Sequence, residues 1–316
     1  MKTMRNYSLD TLKLICAILV IFIHTPQPEI WKDCITPIIR CAVPIFFMIS
    51  GYLTYGKNDL NSVIRKRILG QLKIFCWAFV LYLIISSMIN GVDTFRTLHH
   101  QLAAPGFLLF NAVPCAFHLW YIQAYIYVLI IMLFVEKLNL YKPLFYITPI
   151  LLMFAIIVGT YSEIFLNRVF PVFLSRNFLF TGLPFFSLGM MVKRMKKIPA
   201  KWVVMCSCIF FYITGIFETL HLRCISGDLY VSNIFLSVSI FMLFINIKQT
   251  KSTPISKIGS EDCLYIFVLH YFFALYFERL QCDMPFLSYI SAPLVLCLTL
   301  LLIAFLRKVK VIGKII

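Results

Sequence analysis

The segment DTLKLICAILVIFIH, residues 10–24, decides the fold of this chain. Its length and apolar character predict a membrane-spanning helix that carries a charged pair at one end and a histidine at the other. Lys13 and His24 are eleven residues apart, close to three helical turns, so their side chains share one face about 16 Å apart along the axis. Asp10 lies one turn before Lys13. Ionisable groups are costly in lipid, so this polar face is expected to line a cavity or a site.

The composition extends this prediction to the whole chain. The sequence is 61% hydrophobic and 13% charged, whereas soluble domains carry about 25% charged residues. These values exclude a soluble enzyme and predict a single membrane domain over residues 1–316, placed in the plasma membrane. The net charge of +16 does not indicate a nucleic-acid partner, because the basic residues cluster at the ends of apolar runs, where cytoplasmic flanks are basic. The N-terminal run resembles a signal peptide but is followed by no small-residue cleavage site, so it is expected to stay as the first span.

The apolar runs predict an all-α protein with ten spans and both termini in the cytoplasm. With this orientation 22 of the 29 Lys and Arg residues fall on the cytoplasmic side and alternate correctly through every loop. The outer loop 90–116 is expected to lie on the membrane surface or to fold back as a lid. The predicted spans are residues 9–25, 35–55, 68–89, 117–136, 143–160, 176–194, 201–221, 229–247, 262–281 and 286–306.

Three side chains near the predicted outer side are candidates for chemistry. The neutral imidazole of His24, with an ordinary pKa near 6.5, can take a proton from a hydroxyl whose oxygen attacks a carbonyl. Arg40 in the second span can stabilise a developing oxyanion or orient an acceptor, or else snorkel to the headgroups. His118 brings a second imidazole to this depth, beside Trp120 and Tyr121, which alone would be an interfacial aromatic belt.

Further polar residues interrupt other apolar runs. Arg65 and Arg67 open the third span and are either positive-inside anchors or ligands for the phosphates of a cytosolic cofactor. Arg176 opens the sixth span, and His270 lies deep in the ninth, where it is expected to line the cavity or bond another helix. The eleven cysteines are too scattered for a metal site and are interpreted as packing residues, with a disulfide among the outer ones left open.

In their order along the chain, these motifs resemble acyltransferase family 3, the multi-span membrane acyltransferases. The resemblance covers nearly the whole chain. Lys13 replaces the usual arginine, Phe267 the usual tyrosine and Cys263 the usual serine or threonine. The matching positions are Arg5, Asp10, Leu12, Lys13 and His24; Phe46, Phe47, Ser50, Gly51 and Tyr52; His118 and Trp120; and Ile266 and His270.

The resemblance implies transfer of an acyl group, commonly acetyl, from cytosolic acyl-CoA to a glycan hydroxyl on the outer side. The catalytic residues would be His24, Arg40 and His118, with His24 as general base or, alternatively, as a transient acyl carrier. Acyl-CoA would be a substrate, with no permanently bound cofactor and no metal. The implied donor-side residues are Asp10, Lys13, Arg65 and Arg67, and the implied acceptor-side residues are Trp120, Tyr121, Arg176 and His270.

Two other functions are compatible with the same polar face. A transporter or flippase for a lipid-linked sugar or a small anion would use it to line a permeation path. A membrane sensor or assembly partner would use it without turnover. The identity of the acceptor, the acyl group and the oligomeric state are left open by the sequence.

Overall fold

The structure is a computed structural model that describes residues 6–91, 94, 98–99, 105–222, 228–280 and 284–309. The described residues form helices and connecting turns, and no strand occurs among them. They divide into two compact units. Unit 1 holds the described residues of Met1–Ile49 and Arg194–Lys314, and unit 2 those of Ser50–Lys193. Arg5 and most of the loop 90–104 lie outside the described residues.

The described part of the chain contains fourteen α-helices, so the all-α prediction is confirmed there. The helices are α1 (Tyr7–His24), α2 (Glu29–Ile39), α3 (Ala42–Thr54), α4 (Leu60–Asn90), α5 (Pro105–Phe110), α6 (Trp120–Lys137), α7 (Tyr141–Val158), α8 (Ser162–Leu166), α9 (Leu183–Arg194), α10 (Lys201–Leu222), α11 (Val231–Asn246), α12 (Pro254–Glu261), α13 (Cys263–Leu280) and α14 (Leu287–Lys308).

Within the described ranges, eight helical segments are long and apolar enough to cross a membrane. Each corresponds to one of the ten predicted spans, so a multi-pass membrane protein is confirmed. The segments are Tyr7–His24, Glu29–Thr54, Leu60–Ile89, Phe117–Lys137, Tyr141–Val158, Lys201–Leu222, Cys263–Leu280 and Leu287–Lys308.

The sixth and eighth predicted spans have a different form. Residues 176–194 contain a π-helical turn, Phe178–Gly182, that leads into the short helix α9. Residues 229–247 form α11, which is apolar but only 16 residues long. The number of ten spans and the cytoplasmic termini therefore stay predictions.

The second span is broken at Arg40. The segment Glu29–Thr54 consists of α2 and α3, which are separated at Arg40 and Cys41. Pro44 explains the position of the break, because it has no N–H to donate to the carbonyl of Arg40 one turn earlier. The break turns the arginine out of a regular helix and leaves its side chain half-buried.

In unit 1, the short helix α12 packs directly against the first span. Thr253 caps this helix by accepting from the Ser256 N–H at 3.2 Å, and Pro254 occupies its first turn. At Gly259 the two backbones touch: a β-carbon there would collide with the carbonyl oxygen of Asp10. Helix α12 therefore fixes the end of α1 that carries the charged pair.

Candidate functional site

The histidine that ends α1 lies in an aromatic cluster of unit 1. The ring centroid of His24 is 5.4 Å from that of His270 and 5.3 Å from that of Tyr271, both on α13. His24 is half-buried and His270 is fully buried. The structure thus brings together two of the predicted site residues, one assigned to catalysis and one to substrate binding, and adds a phenol that the sequence analysis did not name.

The hydrogen bond of His270 defines the roles of its two ring nitrogens. Its Nδ1 lies 3.0 Å from the carbonyl oxygen of Ile266, one turn earlier on α13. A carbonyl can only accept, so Nδ1 carries the proton and donates it to Ile266. In the neutral imidazole Nε2 is then the acceptor. The cluster consequently contains an acceptor nitrogen, His270 Nε2, beside the half-buried His24.

At the opposite end of α1, Lys13 and Asp10 form an ion pair. The ammonium lies 2.9 Å from Asp10 Oδ1, and the carboxylate is nearly buried whereas the lysine side chain is 27% exposed. Cys263 at the start of α13 points its Sγ at the Lys13 carbonyl at 3.4 Å. Lys13 is therefore already neutralised by a fixed carboxylate.

Arg40 also has a carboxylate partner, which the sequence analysis did not predict. Its Nη1 lies 2.6 Å from Asp228 Oδ1, and both side chains are largely buried. Nearby, Glu218 accepts from the N–H groups of Val231 at 3.1 Å and Ser232 at 2.9 Å, at the start of α11. This arrangement holds Arg40 between α2 and the segment that leads into α11, so any anionic acceptor has to compete with Asp228.

His118 lies in unit 2. It is buried in the 3₁₀ turn that precedes α6, and its ring is 4.8 Å from that of Tyr82 on α4, edge to face. Tyr121 stacks on Tyr125 one turn later, with ring centroids 6.2 Å apart. In this unit His118 has aromatic neighbours, and its predicted catalytic role stays a prediction.

The predicted acceptor-side residues Trp120 and Arg176 do meet. The guanidinium carbon of Arg176 lies 5.7 Å from the centre of the Trp120 ring, a cation–π distance. Arg176 precedes Asn177, whose side chain caps the π-helical turn by accepting from Leu179 at 2.9 Å and Phe180 at 3.0 Å. Turns of this kind occur frequently at functional sites.

Four basic residues of unit 2, Lys57, Arg65, Arg67 and Lys193, are here called the basic cluster. Arg67 donates to Thr54 Oγ1 at 2.5 Å and is half-buried, and Arg65 is exposed. Lys193 lies over the ring of Tyr52 at 4.6 Å. The pKa of Lys57 is lowered mainly by burial and secondarily by the positive charge of Arg67. Cationic side chains that have no carboxylate beside them are available to phosphate groups.

Sequence reasoning missed several polar residues of this structure. Asp228 lies in a loop, and a contact that spans 188 positions has no local signal. Asn111 and Gln123 are buried in unit 2. Gln123 could have been found, because an amide inside an apolar span needs partners just as a histidine does. Among the described residues, no group of three or more His, Cys, Asp or Glu side chains could hold a metal ion.

The comparison with protein families agrees with the order of motifs. A family model described as an acyltransferase domain, that of acyltransferase family 3, matches residues 6–308. The chain belongs to this family. The match begins just before α1 and ends at the last residue of α14, so it includes both units.

A curated relative carries a different name. The serine/alanine racemase of Enterococcus gallinarum is 28% identical over 296 residues, which are 84% of this chain and 40% of the racemase. The chain thus spans about two-fifths of the length of that relative. No solved structure matches the chain.

Proposed function

We propose that this protein is a membrane O-acyltransferase that moves an acyl group, acetyl in the first instance, from acyl-CoA to a hydroxyl of a cell-envelope glycan. The observation that carries the proposal is the position of His24, half-buried at the end of a span beside His270 and Tyr271. Family membership supports the reaction class. The basic cytoplasmic flanks support a plasma-membrane location with ten spans and both termini inside.

The proposed step uses His24 as the general base. Its neutral imidazole takes the proton of the acceptor hydroxyl while the oxygen attacks the thioester carbonyl. The tetrahedral intermediate then expels the thiolate of CoA, which recovers the proton from the imidazolium. The products are an ester and free CoA. His270 is held in one tautomer by Ile266, so it can orient the cluster without changing its own proton.

For the donor, we assign the phosphate contacts first to Arg65 and Arg67 in unit 2. Arg67 is positioned by Thr54, and guanidinium groups suit phosphate oxygens. Lys13 is a secondary candidate, because Asp10 already occupies it. On the acceptor side, Trp120, Tyr121 and Arg176 would contact the glycan, and Arg40 would do so only in competition with Asp228.

The test is a transfer assay on membranes that contain either the wild type or the His24→Ala variant. Radiolabelled acetyl-CoA and envelope glycan from cells that lack the gene are the substrates. We expect transfer to fall about 10²–10⁴-fold, the usual contribution of a general base. His221→Ala is the matched control, because His221 is an exposed histidine at the end of α10. Transfer by His24→Ala within a factor of three of the wild type would refute the assignment.

A second candidate function is a carrier that moves a small polar ligand without changing it, and the similarity to a serine/alanine racemase makes serine the ligand to test. A transporter or flippase for a lipid-linked sugar or a small anion belongs to the same class. Uptake of labelled serine by vesicles into which the protein is reconstituted distinguishes the carrier from the acyltransferase. Uptake of unmodified serine would support the carrier, whereas O-acetylserine detected by mass spectrometry would support acyl transfer to an amino-acid hydroxyl.

A further inference from the structure

Two buried amide side chains of unit 2 each have one polar atom without a hydrogen-bond partner. Asn111 is 1% exposed and Gln123 is 5% exposed. The atoms in question are Asn111 Nδ2, a donor, and Gln123 Oε1, an acceptor. Buried polar atoms are nearly always paired in native proteins, so two exceptions in one region need an explanation.

The orientation of both amides is determined by the backbone. Asn111 Oδ1 accepts from the N–H of Phe178 at 2.9 Å, and Gln123 Nε2 donates to the carbonyl of Phe107 at 2.9 Å. A backbone N–H can only donate and a carbonyl can only accept, so neither amide can be flipped. The unpartnered donor and the unpartnered acceptor are therefore properties of the fold.

The two amides belong to one connected group of residues. Phe107 lies within α5, one turn before Asn111, which directly follows that helix. Tyr127 lies one turn after Gln123 on α6, and its hydroxyl is 3.2 Å from Gln123 Nε2. The ring of Tyr127 packs edge to face on that of Phe178, at 5.2 Å. The path thus runs from Gln123 through Tyr127 and Phe178 to Asn111 and returns through α5.

The chemistry of this group fits a neutral hydroxyl ligand. A hydroxyl can donate to Gln123 Oε1 and accept from Asn111 Nδ2, and neighbouring hydroxyls of one sugar can do so separately. The rings of Phe107, Tyr127 and Phe178 belong to the same group of residues, and ligand sites combine apolar side chains of this kind with a few polar groups. Neither amide is charged, so a zwitterion such as serine would leave its ammonium and carboxylate without partners here.

We propose that Asn111 and Gln123 form a subsite for the hydroxyls of an uncharged sugar in the acceptor glycan. The inference rests on the proposed function for its biological meaning, but the binding it describes does not depend on acyl transfer. It also explains the position of Trp120. Trp120, Gln123 and Tyr127 occupy one face of α6, and Arg176 lies over the tryptophan ring on that face.

The experiment measures sugar binding by the full-length protein in lipid nanodiscs prepared without glucoside detergents. The probe is a mixture of the methyl glycosides of glucose, galactose, mannose, rhamnose and N-acetylglucosamine at 10 mM each. For ligand several-fold above Kd, we expect the Tm of the wild type to rise by about 2 °C. Asn111→Asp keeps the acceptor for Phe178 but loses the donor, and Gln123→Met removes the acceptor, so both variants should lose most of this rise.

Ser187→Ala is the matched control. It removes an equally buried hydroxyl in unit 2 and leaves Thr148 bonded to the carbonyl of Leu144 at 2.8 Å. Its Tm without sugar reports the effect of a buried polar deletion, and its rise with sugar should equal that of the wild type. This comparison also cancels the general stabilisation that sugars give as excluded solutes.

Three results would overturn the proposal. The first is no rise in the Tm of the wild type, which would mean that water occupies the two amides. The second is an equal rise in the Tm of the Asn111 and Gln123 variants. The third is a rise in Tm with 10 mM serine but not with the glycosides. A wild type that binds the glycosides but transfers no acetyl group would instead count against the proposed function alone. If transfer occurs, the two variants should raise the half-saturating glycan concentration about tenfold and leave the KM for acetyl-CoA unchanged.

Discussion

The basic residues of the two units differ in their partners. In unit 1, Lys13 lies 2.9 Å from Asp10, and Arg307 lies 2.5 Å from Asp262. Each of these cations thus has a carboxylate fixed beside it. A ligand phosphate that binds there must displace or share an internal anion, which removes much of the gain from the new contact.

In unit 2 the basic residues have neutral partners. Arg67 donates to the hydroxyl of Thr54, and Lys193 lies over the ring of Tyr52. Among the described residues no carboxylate lies within ion-pair distance of Arg65, Arg67 or Lys193. The positive-inside rule explains why both units are basic at such ends. Of the cations compared here, those of unit 2 are the ones without a carboxylate partner. The difference predicts which unit holds the phosphates of the donor.

Replacing Arg67 by alanine should have the largest effect on donor binding. A hydrogen bond to a charged group contributes about 1.5–3 kcal/mol, so the KM for acetyl-CoA should rise about 10–100-fold. The kcat should change less, since these phosphates are remote from the thioester. The KM of Arg67→Lys should lie between those of the wild type and Arg67→Ala, because lysine keeps the charge but loses the bidentate geometry of arginine. Steady-state transfer at varied acetyl-CoA concentration measures these values.

Lys142→Ala is the control for this prediction. Lys142 is an exposed basic residue at the start of α7 in the same unit, and it is not a member of the basic cluster. Its removal should leave the KM for acetyl-CoA within a factor of two. An Arg67→Ala variant that behaves like Lys142→Ala would mean that unit 2 has no part in binding the donor.

Replacing Asp10 by asparagine should affect stability and not donor binding. The pair it forms with Lys13 is partly exposed on the lysine side, which reduces its contribution to about 1 kcal/mol. The Tm should therefore fall by about 1–2 °C, with the KM for acetyl-CoA within threefold of the wild type. Thermal unfolding in nanodiscs and the transfer assay together measure both quantities.

The chain offers a matched control for the Asp10 variant. Glu29 and Lys32 have the same spacing and the same 2.9 Å distance, but the Glu29 side chain is 85% exposed. Glu29→Gln should leave the Tm unchanged, because exposed pairs contribute little. A clear change in the KM for acetyl-CoA on Asp10→Asn would place Lys13 in the donor site and remove the distinction between the units.

The sequence was sufficient to predict the long spans but not the short ones. The hydropathy signal grows with the length of an apolar run, and eight predicted spans have helical segments of 18 residues or more, one of which is interrupted at Arg40. The span predicted over 176–194 has a form that hydropathy does not indicate, because Asn177 caps a π-helical turn there and Pro184 follows in the next helix. Such side-chain caps have a local signal, but their effect on the type of turn depends on tertiary contacts.

For the candidate site, the sequence predicted residue types better than partners. The pair of His24 and His270 was anticipated only as two costly polar groups in apolar surroundings, and their contact comes from the packing of α13 beside α1. The partner of Arg40 could not be predicted, because Asp228 lies 188 positions away in a loop. In both cases the sequence indicates that a polar side chain in an apolar segment needs a partner, but it does not show which residue that partner is.

The smallest predicted effect concerns the ion pair of Asp262 and Arg307 in unit 1. It shows whether burial or the attraction to Arg307 has the larger influence on the Asp262 carboxyl group. Burial is the main cause that raises the pKa of Asp262 above its ordinary value near 3.8, and the charge of Arg307 opposes it. A raised carboxyl pKa means that the folded state keeps its proton to higher pH than the unfolded chain. The stability that this proton contributes is complete below pH 3.8 and is lost as the pH rises through the folded pKa.

The Tm of the wild type relative to that of Asp262→Asn should therefore fall as the pH rises above 3.8. Thermal scans of both proteins in nanodiscs at closely spaced pH values measure it. Glu261→Gln is the control for removing a carboxylate near the same guanidinium, because the Glu261 side chain is 47% exposed and lies 3.9 Å from Arg307. A difference that instead grows with pH would show that attraction to Arg307 exceeds burial at Asp262. Unit 1 would then gain stability from its paired charges, and the contrast with the basic cluster of unit 2 would be sharper.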